Sequence, residues 1–299
     1  MKFDSYHPLI QFVYFVAMFT CICLFRHPVF MAIAYVSAFV WSVKLNGKKA
    51  LIFNMWLIPC IFLYNAWYAS YHHFGMTILW YNRIGNQMTL ESIVSGFVRG
   101  VVVATVIMEF SCVFATVTSD KIVYLLGRVS PKLSLFFSIL LRSVPRIKAW
   151  VRKADCARQG VGMGIGQGNL WQRFCHLMGL ISITITWAVE HLIESAASMK
   201  CRGYSLKGRK AFSIYRFDDR DRCFLVGLVF CIMTTYMAYA AGETVLLYQP
   251  MILFEPITGV SLLFYVVYVG MAFLPLAMQV FGEWRFKQLQ KNIDNILAR

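Results

Sequence analysis

Five groups of residues in this chain are of types that do chemistry. His72 and His73 are adjacent imidazoles of the kind that bind divalent metals, but no third ligand stands nearby and two neighbours alone make a poor site. His191 and Glu194 fall three residues apart with Glu190 beside them, a spacing that ligates metal in helical bundles when it occurs twice. It occurs once here, so the expectation is that these carboxylates pair with the surrounding Lys and Arg. Arg99 and Glu109 are ionisable residues inside an otherwise apolar run, where a charge marks a functional site by default. They are ten residues apart, too far along one helix to pair directly, so each is expected to find its own partner near an interface or in the helix bundle. Glycine at every second position from 160 to 168 suggests a phosphate loop, yet it fits neither G-x-G-x-x-G nor the Walker pattern and follows a helix rather than a strand. A flexible hinge is the expectation there, and the chain holds no ATPase of its own.

The fifth group is a pair of arginines. Arg158, in Ala157-Arg-Gln-Gly160, and Arg202, in Cys201-Arg-Gly203, each close a helical stretch, 44 residues apart and flanked by small residues. A cation at a helix C-terminus is favoured by about 0.3–1 kcal/mol whatever its role. The repetition adds a second reading, in which a guanidinium enters an acidic groove and forms a bidentate pair. No nucleophile elbow, kinase signature or zincin motif is present, so nothing local supports an enzyme.

The elements that must position these residues are apolar. Uncharged runs cover 9–25, 28–43 and 50–68, and the run 92–118 carries only Arg99 and Glu109. Two more follow at 223–241 and 257–282, the last interrupted by Pro275. The first two runs stand at the lower limit of about 17 residues for a spanning helix. With both termini on one side and six spans, 26 of the 29 Lys and Arg share that side, leaving Arg26, Arg83 and Arg99 opposite. The positive-inside rule makes the basic side cytoplasmic.

From 133 to 158 the apolar positions recur at helical spacing, while Ser134, Ser138, Arg142, Arg146, Arg152, Lys153 and Asp155 occupy the other face and Pro145 bends the pattern. A second long helix is predicted from about 171 to 202, with Gly203 as terminator. Its segment 174–189 is apolar enough to span. Crossing there would carry the basic stretch 200–222 outside, so the segment is predicted to lie in or near the cytoplasmic interface. The organisation is therefore 1–118 as spans one to four, 119–222 as a cytoplasmic region of long amphipathic helices, and 223–299 as the last two spans with a basic tail.

Composition agrees with this layout: of 299 residues, 59% are apolar and 14% charged, and the mean hydropathy is +0.60. A cytosolic globule is excluded, and an all-α multipass membrane protein follows. The net charge of +15 is the charge of cytoplasmic loops, and no nucleic-acid-binding motif accompanies it. Nine cysteines without paired spacings read as free thiols. Residues 1–8 lack a basic signal-peptide start, so the first apolar run is expected to stay in the mature protein.

Several segments together resemble the transmembrane T component of energy-coupling factor transporters. They are Tyr6-His-Pro8, His73-Phe-Gly-Met-Thr77, Gly85-Asn-Gln-Met-Thr-Leu-Glu91, Ser119-Asp-Lys121, Leu141-Arg-Ser-Val-Pro145, and the two arginine motifs. The resemblance implies a non-catalytic subunit in a bacterial-type cell membrane, whose long cytoplasmic coupling helices end in two ABC-type ATPase subunits. Those ATPases bind ATP, and the chain itself carries no cofactor. A substrate-binding membrane S component carrying a vitamin or metal ion is the further partner, with lipid around the spans. In that comparison Ala157, Arg158, Gln159, Cys201, Arg202 and Gly203 dock the ATPases, Gln159 and Cys201 departing from the commoner Gly and Ala. Phe136, Phe137, Leu140, Leu141, Met178 and Ile181 are expected on the apolar surface that grips the S component. The competing class is a multipass membrane enzyme or independent channel whose basic helices bind anionic lipid.

Overall fold

The computed structural model describes residues 3–72, 74–81, 87–204, 206, 215–246, 248 and 258–297. His73, Gly85, Asn86 and Arg83 lie outside the described residues. A single turn at Phe3–Ser5 precedes α1 (Pro8–Leu24), α2 (Pro28–Asn46) and α3 (Lys48–Tyr71). A short hairpin, β1 (Ile78–Tyr81) with β2 (Gln87–Thr89), leads into α4 (Leu90–Thr116). Then come α5 (Ser119–Val129), α6 (Pro131–Gln159), α7 (Leu170–Cys201), α8 (Asp219–Ala240) and α9 (Gly259–Leu297). The chain is an all-α multipass membrane protein that divides into two compact units, Met1–Thr118 with Tyr215–Arg299, and Ser119–Ile214.

In the first unit, α1 and α2 both begin at a His-Pro pair. Proline supplies the fixed φ that suits a first helical position, and the preceding histidine accepts a backbone N–H that the helix leaves free. His7 Nδ1 takes Leu9 N–H at 3.2 Å, and His27 Nδ1 takes Val29 N–H at 3.3 Å. The core gathers on α1: Tyr14 and Phe15 meet Phe3 and Trp41, while Phe25 and Phe30 meet Tyr268 of α9. Close approach of α4 to α3 needs glycine, because a Cβ on Gly96 would sit 2.5 Å from Asn65 Oδ1 and one on Gly100 3.0 Å from Ile61 Cγ2. Small residues at such crossings allow the van der Waals packing that holds helices together in lipid.

The segments on either side of the hairpin are knitted together. Thr77 donates to Glu91 from its hydroxyl at 2.7 Å and from its backbone N–H at 3.3 Å. Thr89 caps α4 and also donates to Phe74 O, and Ser92 donates to His72 O. Gly75 has φ +119°, and a Cβ there would lie 2.8 Å from Glu91 Cδ.

Six helices are long and apolar enough to cross a membrane, but they are not the six runs expected from the sequence: α2, α3, α4, α7, α8 and α9. α1 has only 17 residues and falls below that length, although much of it is buried in the core of its unit. α7, expected as an interfacial helix, has 32 residues and qualifies as a span by length and composition, although it is the least apolar of the six. The reason is extent. A charge-free stretch centred on 174–189 is flanked by polar turns that remain helical, so the element is twice as long as its apolar core.

Candidate functional site

The second unit carries both arginine motifs. α6 and α7 run antiparallel, joined by residues 160–169, and three contacts fix their register. Trp150 stacks on Trp187 with ring centroids 4.2 Å apart. Arg146 reaches His191 Nε2 across the pair. At the connected end the Arg158 guanidinium lies along α7, so that a Cβ on Gly179 would sit 2.9 Å from Nη1 and 3.1 Å from Nη2. Arg158 is thus folded back and half-buried, not extended for entry into an acidic groove. Arg202 is exposed at the opposite end of the pair and lines a cavity of about 520 Å³ with Leu135 and Ser138. From residue 135 to residue 158 is 23 positions of α6, so the two arginines stand about 35 Å apart along the pair at about 1.5 Å per residue.

Each motif ends its helix by a different device. Gly203 takes φ +76° and donates to Lys200 O at 3.0 Å while Tyr204 N–H returns to Met199 O at 3.2 Å, closing α7 in the left-handed conformation that glycine adopts without strain. The end of α6 is wrapped instead: Val161 and Met163 both donate to Arg158 O. Gln159 donates to Asp155 Oδ2 at 2.7 Å, and Asp155 Oδ1 accepts from Ile165 N–H at 3.1 Å. Gln167 accepts from Gly164 N–H and donates to Gln159 O. The glycine-rich segment is therefore a tied loop and not a free hinge. Only Gly162 and Gly168 within it take positive φ, +80° and +88°. Gln159, which differs from the commoner glycine of the resembled motif, is one of the residues that ties it. Asn169 caps α7 and completes a capping box with Gln172.

His191 answers the question of the H-x-x-E spacing. Arg146 only donates, so His191 Nε2 accepts; Nδ1 then carries the proton and donates to Ser195 Oγ at 3.0 Å. The expected pairing of Glu190 and Glu194 with Lys or Arg is not found: neither forms an ion pair among the described residues, and Arg146 meets the His191 imidazole instead. No group of three or more His, Cys, Asp or Glu able to hold a metal occurs among the described residues. His72 stacks on Tyr68 with ring centroids 4.0 Å apart. Arg99 lies over the same Tyr68 ring at 5.1 Å, and Glu109 is buried with Oε2 lacking a hydrogen-bond partner among the described residues.

The six residues expected on one gripping surface fall into two groups. Phe136 (56% exposed) and Leu140 (41%) are open on α6, with Phe137 and Leu141 half-buried beside them. Met178 (48%) and Ile181 (42%) are open near the beginning of α7, where the register sets them against the other end of α6. The apolar stripe of α6 itself splits, with Leu133, Phe136, Leu140 and Val144 open and Phe137, Leu141, Ile147, Val151 and Ala154 half-buried. Of α7, only Leu180 is fully buried among the described residues. Asp155, Gln167 and the Arg146–His191 pair were not singled out as contacts in the sequence. The partners of Asp155 and Gln167 lie within ten positions, in the wrapped end of α6, whereas Arg146 and His191 are 45 positions apart and meet only through the antiparallel register.

No protein-family model matches the chain, and no characterised protein matches it in sequence.

Proposed function

We propose that the chain is the membrane coupling subunit of an ABC-type importer, transmitting the closing and opening of two ATPase subunits to a substrate-binding S component. The observation that carries this reading is the placement of two helix-ending arginines at opposite ends of one antiparallel pair. A mechanical coupler needs two separated attachment points on one stiff body, and α6 with α7 supplies them. The open apolar side chains of α7, from Phe174 and Met178 to Leu192, offer the S component a surface that the second unit leaves uncovered. In this reading Ser119–Ile214 lies on the cytoplasmic side with both termini, α1 crosses as a short steep span, and α7 lies along the interface. The chain catalyses nothing itself and takes no cofactor.

Arg202 is presented ready to dock, whereas Arg158 must leave Gly179 first. A guanidinium that seats in an acidic groove leaves an unpaired buried carboxylate when removed, at a cost of about 2–5 kcal/mol. The test is retention of the ATPase subunits on the purified chain, with substrate uptake, for Arg158→Ala, Arg202→Ala and the double variant. Each single change is expected to weaken the complex and uncouple hydrolysis from uptake, and the double change to dissociate it. Full retention with normal uptake in the double variant refutes the reading. Small additive losses shared equally with Arg152→Ala and Lys153→Ala support lipid-binding helices instead.

A further inference from the structure

The open end of the α6–α7 pair holds more positive charge than the docking of one arginine requires. The cavity of about 520 Å³ is contained within the second unit and has the size of a small-molecule site. Arg142 and Arg146, four residues apart on one face of α6, line it together with Arg202 of α7, and the carboxylate on its wall is Glu194. Among the described residues none of these three arginines forms an ion pair with Asp or Glu. Arg146 is aimed by His191, whose other nitrogen is held by Ser195. Three guanidiniums against one carboxylate leave two positive charges uncompensated, and Ser138, Ser195 and Ser198 add hydroxyl groups around them, while the Ser143 hydroxyl donates to Leu140 O at 2.8 Å within α6.

We propose that this cavity binds a phosphate monoester or inorganic phosphate. A carboxylate offers two acceptor oxygens and one negative charge. A phosphate monoester offers three terminal oxygens and about −1.5 to −2 charge at neutral pH, which matches both the uncompensated charge and the number of donors. The guanidinium fork suits phosphate geometry, and hydroxyls from both helices complete the shell. Arg142, to which the coupling reading gives no task, thereby becomes a ligand. The site lies within one chain and stands whether or not the chain couples ATPases.

Two sources share this chemistry: soluble phosphate and the headgroup of a phosphatidic-acid-type lipid. In the first arm, inorganic phosphate is titrated calorimetrically at low salt into the full chain in phosphatidylcholine nanodiscs. In the second, the chain is exposed to mixed phosphatidic acid and phosphatidylcholine, and retained lipid is read by native mass spectrometry. Saturable binding in the first arm assigns a soluble ligand, and selective retention of phosphatidic acid in the second assigns a headgroup. In either arm Arg142→Ala and Arg146→Ala are each expected to weaken binding about tenfold, the worth of one charge-assisted hydrogen bond, while Arg142→Lys is intermediate. Should the alanine variants fail to fold, Ser138→Ala/Ser198→Ala, which leaves every charge in place, must weaken binding measurably. Absence of binding in both arms, wild-type binding by the arginine variants or, where those fail to fold, by the serine variant, or tighter binding of a glutamate-rich peptide than of either phosphate probe overturns the proposal.

Discussion

Replacing Gly179 by alanine tests the folded-back position of Arg158 directly. A Cβ at this position would lie 2.9 Å from Arg158 Nη1, about 0.5 Å inside ordinary contact, and the obstructing atoms are the far end of a flexible side chain. The guanidinium therefore swings away and the helix stays in place. The loss is a handful of dispersion contacts at about 0.1–0.2 kcal/mol each, roughly 0.5 kcal/mol in all. The gain is helix propensity, since glycine in a helix interior is about 1 kcal/mol less favourable than alanine. The balance is a stabilisation of about 0.5 kcal/mol, or a rise of about 1–2 °C in the midpoint for a chain of this size. Thermal unfolding in detergent by circular dichroism measures the first quantity. Mass-spectrometric footprinting with an arginine-selective dicarbonyl reads the exposure of Arg158, which is expected to rise several-fold while that of Arg202 stays constant. A fall of more than about 3 °C, or unchanged reactivity at Arg158, refutes the balance and with it the assignment of a displaceable guanidinium.

Two further outcomes rest on the first unit. Gly75→Ala is expected to cost about 1–3 kcal/mol, because φ is +119° and the new methyl strikes the Glu91 carboxylate that holds Thr77. Gly47→Ala, with φ +65° and nothing within 4 Å, is the control that isolates the conformational part, and equal losses in the two variants remove Glu91 from the account. Tyr248 donates to Arg26 O at 2.9 Å, and burial pushes its phenol from 10.0 up to about 12, with the Arg26 charge pulling the other way. A folded-state value above the unfolded one contributes stability that is complete below pH about 10 and lost as pH rises to about 12. The stability difference between the wild type and Tyr248→Phe therefore shrinks across that window, and a constant difference is the contrary result.

The spans were legible where apolar runs nearly coincide with whole helices, as in α2, α3, α4 and α8, because lipid demands both length and few charges. α6 and the end of α7 were legible from 3.6-residue periodicity and from Gly203. The full extent of α9 was not, because hydropathy reports the apolar core of a helix and not the polar turns that extend it. The loop after α6 misled for a related reason. Alternating glycine looks free in sequence, and the tethers that fix it, Asp155, Gln159 and Gln167, belong to residue types common at any surface. The arginine motifs were visible as a repeat, but their separation and the folding back of Arg158 depend on register alone. Arg146 with His191 is the clearest case: two residues with no local pattern in common become partners only once α6 and α7 run side by side.

The Trp150–Trp187 stack does not bisect the pair. Arg158 lies eight residues beyond Trp150, about 12 Å, whereas Arg202 lies fifteen residues beyond Trp187, about 22 Å. For rocking about a point level with the stack, the body is a lever with unequal arms. A rocking motion of about ten degrees displaces the Arg158 end by about 2 Å and the Arg202 end by about 4 Å, in opposite directions. Two machines gripping these ends would not share the stroke equally: the one at Arg202 travels nearly twice as far against about half the force.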